Sequence, residues 1–143
     1  MNTYDPIEWS DSLSTGVEEI DRQHQSLVKI INEANAKLIG NQSLQLIDDL
    51  TFDLFVYASY HFETEERLIE KYDYPVECPD EAETHCSEHR SFSEKVTAVR
   101  ADLKRGVVIS REDLLSFLNQ WLIEHILNID MRLGQFLVSK GMT

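Results

Sequence analysis

The feature that most constrains this chain is a set of four long stretches in which inward-type residues recur at steps of three and four. Val17, Ile20, His24, Leu27, Ile31, Ala34 and Leu38 form the first. Ile47, Leu50, Leu54, Ala58, His61, Glu65, Leu68 and Tyr72 form the second; Ala82, His85, His89, Phe92, Val96, Val99 and Leu103 the third; Leu114, Leu118, Trp121, His125, Ile129, Leu133 and Phe136 the fourth. Such spacing keeps one face of an α-helix against a core, and no alternating strand-like segment competes with it. Thr15-Gly16-Val17-Glu18 has the form of a capping box, the second stretch runs from Ser43 to Tyr74 before Pro75, Pro79 suits a first helical turn, and Ser110 suits a helix cap. Short connections at Gly40 and Gly106 favour antiparallel neighbours. The expected fold is all-α: a single domain over 1–143, an antiparallel up-down-up-down four-helix bundle. The first 14 residues are expected to form an irregular arm, with Ile7 and Trp9 packed on the bundle.

Charge and composition exclude several partners. Thirteen basic against 26 acidic residues give a net charge of −13, which repels nucleic acid and anionic membrane alike. No apolar run approaches the roughly 20 residues that span a bilayer, and MNTYDPIEWSD lacks the basic flank and apolar stretch of a secretory signal. A cytoplasmic protein is expected. Two cysteines, Cys78 and Cys86, are too few for a disulfide scaffold, so free thiols are the default and a redox-labile bridge between them is the alternative.

All five histidines fall on the inward stripes. In HCSEH, His85 and His89 stand one helical turn apart on one face, as a chelating pair does. In HFETE, Glu65 follows His61 by the same interval. In HILNID, Asp130 follows His125 by five residues, which an ideal helix would separate by about 140°. Either the two reach one cavity from its two sides, or the helix widens by one residue there, as helices do at functional sites. Five buried imidazoles with separate partners would each need their own hydrogen bonds, so a shared metal site is the better account. With two carboxylates using both oxygens they overfill one zinc, which takes about four donors, and nearly fill two six-coordinate ions. A hydroxide shared by both ions would leave one position open.

The order His24, His61-Phe62-Glu63-Thr64-Glu65, His85 through His89 and His125 through Asp130 resembles the hemerythrins, specifically their bacterial members. Thr15-Gly16, Ile20-Asp21-Arg22-Gln23-His24, Glu65-Glu66, Tyr74-Pro75 and Trp121 through Ile126 resemble that family's flanking text. The resemblance implies two iron ions, one held by His85, His89 and His125 and the other by His24 and His61. Glu65, Asp130 and an oxo or hydroxo group would bridge them, and dioxygen would bind end-on at the two-histidine iron. It also implies that Leu27, Phe62, Trp121, Leu122 and Ile126 line the oxygen pocket. The segment Val76 to Thr84 is longer than the corresponding family loop.

Reversible dioxygen binding for storage, transport or scavenging is therefore expected, rather than enzymatic turnover. An oxygen-activating di-iron enzyme usually carries Glu-x-x-His on two helices, and none occurs here. Peroxidase or nitric oxide chemistry remains as a side activity. A sensor reading would need a separate protein acceptor of oxygen or signal, with a thiol beside His85 as its coupling point.

Overall fold

A computed structural model, which describes residues 6–40 and 43–143, is helical throughout its regular segments. Helix α1 spans Glu18–Lys37, α2 Leu44–Lys71, the single turn α3 Tyr74–Glu77, α4 Pro79–Lys104 and α5 Arg111–Glu124. From α5 the chain runs on through a π-helical turn, His125–Asp130, into α6, Met131–Ser139.

Contacts between helix ends fix the topology. Gln23 early in α1 meets Thr64 late in α2 at 3.1 Å, so these two run antiparallel. Arg100 late in α4 meets Asp48 early in α2 at 3.2 Å, while His89 meets Glu66 at 3.0 Å. The rings of Phe92 and Phe117, then of His85 and His125, pair α4 with the fourth rod in opposite senses. Arg111 donates to the Asn35 side chain at the far end of α1, and His24 meets Asp130 at the near end. The bundle is thus up-down-up-down.

Local chemistry explains most boundaries. Ser43 and Ser110 cap α2 and α5, each hydroxyl accepting a backbone N–H at 3.1 Å. The capping box expected at Thr15 does not form. Val17 stands at the N-cap without a side-chain bond, and instead the Asp21 carboxylate accepts from the Thr15 N–H and hydroxyl and from the Ser14 hydroxyl, at 2.7 to 2.8 Å. α2 stops at Lys71 rather than Tyr74, because Asp73 turns left-handed (φ 61°) and Tyr74-Pro75 begins the separate turn α3. Gly134 on α6 lets the Thr15 turn lie against it: a Cβ there would stand 2.5 Å from the Thr15 carbonyl oxygen.

The N-terminal arm holds to the bundle as expected over its described part; residues 1–5 lie outside the described residues. Ile7 exchanges two 2.9 Å hydrogen bonds with the Asn32 side chain, and Ile7 and Trp9 pack on the core. A 3-10 turn over Asp11–Leu13 buries Leu13.

The apolar interior divides in two. A larger cluster includes Leu38, Ile47, Leu54, Phe92, Leu103 and Leu118; a smaller one includes Val17, Ile20, Ile69, Tyr74, Leu133 and Leu137. The stripe in the fourth rod departs from expectation beyond His125. Leu133 is buried as expected, but Asp130 and Leu137 are buried in place of Ile129 and Phe136, which are only half-buried. The π turn inserts one residue, so the inward face moves along by one.

Candidate metal centre

Each long helix contributes to one polar layer. His24 comes from α1, His61 and Glu65 from α2, His85 and His89 from α4, and His125 and Asp130 from the two ends of the π turn. None of the seven exposes more than 3% of its surface. The i, i+4 spacing of His61 and Glu65, and of His85 and His89, stacks each pair on one face as expected. The π turn settles the fourth rod: its wider coil brings Asp130 Oδ1 to 2.9 Å from His125 Nε2.

Every imidazole presents its Nε2 to one or both of the two carboxylates. Glu65 Oε1 lies 3.1 Å from His61, 3.2 Å from His89 and 3.4 Å from His85. Asp130 lies 2.6 Å from His24 through Oδ2 and 3.2 Å from His85 through Oδ1. Two donor groups result, one of Glu65, His85, His89, His125 and Asp130 and the other of His24, His61, Glu65 and Asp130, with donor atoms in each within 4.8 Å of one another. Both carboxylates belong to both groups.

The arrangement is electrostatically tense. Burial alone would lower the His61 and His85 pKa values, but the nearby negative charges of Glu65 first and then Asp130 outweigh it and raise both to about 10. Burial also opposes charging of His125, yet Asp130 raises it. Burial acts to raise Glu65, and burial with the neighbouring Glu65 charge acts to raise Asp130. His61 and His85 hold Glu65, and His125 and His24 hold Asp130, well below the usual carboxylate range. Even so, His61 Nε2, His85 Nε2, His125 Nε2, Glu65 Oε2 and Asp130 Oδ1 are buried without a hydrogen bond. Buried polar atoms rarely stay unbonded, and cations placed among them would satisfy all five. The donor set fits that role, since imidazole and carboxylate suit first-row divalent metals.

Residues 15–137 match the family model described as the hemerythrin HHE cation binding domain. This chain belongs to the hemerythrin family. A bacteriohemerythrin of Pseudomonas aeruginosa (strain LESB58) is 30% identical to it over 122 residues, covering 85% of this chain and 75% of that one. A bacteriohemerythrin of Clostridium acetobutylicum is 30% identical over 129 residues, covering 85% and 94%. A crystal structure of wild-type hemerythrin has the same fold, with a TM-score of 0.82 at 22% identity over 93% of this chain and 98% of that one.

In this hemerythrin-family bundle the five expected pocket residues share one apolar cluster, with Leu27, Phe62, Leu122 and Ile126 buried and Trp121 half-buried. Phe62 stacks on His89 with ring centroids 4.0 Å apart, and Trp121 stacks on His125 at 4.5 Å. These two aromatics therefore cover rings of the three-histidine group.

Gln23 and Glu66, which the sequence marks only as residues flanking the ligands, both touch the cage. His61 Nδ1 donates to Gln23 Oε1 at 2.7 Å, and the Gln23 amide donates to Thr64 Oγ1. His89 Nδ1 donates to Glu66 Oε2 at 3.0 Å. Their signal in the sequence was a polar residue beside each ligand, which becomes meaningful only once helix crossings are known.

The bridge considered between Cys78 and Cys86 is not made. Both thiols are free and half-buried. Cys78 precedes the first turn of α4 and Cys86 lies eight residues on, about 12 Å along a helix, beyond the reach of a disulfide.

Proposed function

We propose that this protein binds dioxygen reversibly at a non-haem di-iron centre in the cytoplasm, for storage, transport or scavenging. His85, His89 and His125 would hold one iron, His24 and His61 the other, with Glu65, Asp130 and an oxo or hydroxo group between them. The observation that carries this reading is that two donor groups share both carboxylates. Iron held by these residues would supply the electron chemistry that reversible dioxygen binding needs.

The remaining contributions belong to the chain. Glu65 and Asp130 supply negative charge inside an apolar interior, where an uncompensated pair of cations would be costly. The unequal histidine count leaves the His24 and His61 side the less crowded. Leu27, Phe62, Trp121, Leu122 and Ile126 exclude water, which keeps a bound gas from being lost as a reduced product. Five imidazoles against two carboxylates stabilise highly charged iron less well than a carboxylate-rich shell does, which favours carriage over oxygenation.

The test is the visible spectrum of iron-loaded, anaerobically reduced protein before oxygen, after oxygen and after degassing. A colour that appears and then reverses is expected. Permanent bleaching, or steady consumption of a reductant, would place the protein among the di-iron enzymes instead.

A further inference from the structure

His89 is a cage residue that meets a surface groove. A cleft of about 510 Å³ between α2 and α4 is lined by His89 with Phe62, Glu63, Glu66, Arg67 and Arg90 among others. The His89 ring is 97% buried, but its two nitrogens face different worlds. Nε2 points inward, 3.2 Å from Glu65 Oε1, while Nδ1 points to the groove and donates to Glu66 Oε2 at 3.0 Å. The Glu66 side chain is half-exposed, at 49%. Phe62, lying nearly parallel to His89 at 13°, removes the remaining freedom of the ring.

The opposite side of the centre is built differently. The outer nitrogen of His61 meets Gln23, a buried neutral amide, itself anchored on Thr64. A carboxylate that accepts an Nδ1 proton draws it away and makes the other nitrogen a richer electron donor; an amide oxygen does so far less. A richer donor favours the more highly charged state of a metal bound to it. The two donor groups are thus unequal in their outer partners as well as in histidine count.

We propose that Glu66 is a positioning residue that fixes the orientation of His89 and biases the His85, His89 and His125 position towards the higher metal charge. Its geometric half rests on His89 alone, and its redox half rests on the di-iron reading.

The experiment uses the metal-free chain titrated with cobalt(II), followed by visible absorption, for the parent, Glu66→Gln, Glu66→Ala and Glu63→Gln. Glu63 is exposed in the same groove and controls for simple loss of charge. In both Glu66 variants one cobalt step should weaken roughly tenfold or more, while the other stays put and Glu63→Gln matches the parent. In the iron-loaded form, Glu66→Gln should raise the midpoint potential relative to the parent and Glu63→Gln. Metal-free Glu66→Gln should melt with the parent, since the replaced carboxylate is half in water. Cobalt steps within twofold of the parent, an equal loss in Glu63→Gln, or an unchanged potential would each overturn the proposal. A parent that shows the cobalt pattern but no reversible colour with oxygen would remove the carrier reading and leave the role of Glu66 at His89 standing.

Discussion

His125 and Asp130 stand five residues apart on one rod, yet Nε2 of the first and Oδ1 of the second approach to 2.9 Å. A regular α-helix would point them about 140° apart, and the π turn removes that divergence by fitting one extra residue into the coil. Asn128 lies exposed within the turn. Deleting it should leave a regular helix with the histidine and the carboxylate four apart on one face. Leu133 and Leu137 should stay in the core, and elemental analysis should still find two metal ions per chain. A variant that melts well below its parent and loses metal would show that the wide coil is indispensable.

The two donor groups can be separated by mutation. Replacing His24 and His61 together by alanine leaves Glu65, His85, His89, His125 and Asp130 intact. Metal content should fall from two ions to one, and the reversible oxygen colour should vanish. Retention of both ions would disprove the division into groups.

Metal loading should release protons. In the metal-free protein His61 and His85 keep their protons up to about pH 10, and His125 is shifted the same way, so at pH 7 a metal must displace them. Apparent metal affinity should climb between pH 7 and 10, and an indicator dye in weakly buffered solution should acidify on loading. Stability follows the same ionisations: with folded values above the 6.5 of free imidazole, these charge pairs stabilise fully below about pH 6.5 and lose that contribution as the pH approaches 10. The depressed Glu65 and Asp130 act oppositely, their contribution disappearing in acid. Thermal melts of the metal-free chain should therefore fall off on both flanks, and the loaded chain should not share the alkaline loss.

Gly134→Ala should destabilise, against the usual trend for a helical glycine. Alanine ordinarily gains up to about 1 kcal/mol over glycine in a helix. Here its Cβ would press within 2.5 Å of the Thr15 carbonyl oxygen and 2.7 Å of the Thr15 Cβ, neither of which is the end of a flexible chain. A net loss of about 1 to 3 kcal/mol is expected from the forced shift, read by denaturant titration.

Changing Cys78 and Cys86 together to serine should leave reversible oxygenation unchanged. Both thiols pack beside the smaller apolar cluster, and neither belongs to a donor group. Identical spectra through an oxygenation cycle are expected; altered reversibility would bring the thiols into the chemistry.

The parts of this molecule written in short-range spacing were legible from the chain alone. His24, His61, Glu65, His85 and His89 sit where a three-four stripe puts them, because an α-helix converts that interval directly into a shared face. Asp130 was ambiguous for a physical reason: the same five-residue gap serves two cavity walls or a widened coil, and the hydrogen-bond ladder decides between them. The Asp21 cap on Thr15 escaped because the carboxylate reaches back six residues from inside the helix. Tyr74–Glu77 is too short for any periodicity to show. Gln23 and Glu66 depend on how α1 and α4 cross α2, and so lie beyond what one strip of residues can express.

The division of the apolar interior into a larger and a smaller cluster has a thermodynamic consequence. Between them runs a stratum of buried polar side chains that gains little from hydrophobic burial, so the empty chain carries a line of weakness across its waist. Ions that grip residues from all four rods would rivet the two halves together. Occupancy then determines whether the bundle opens as one cooperative unit or yields first at its smaller end.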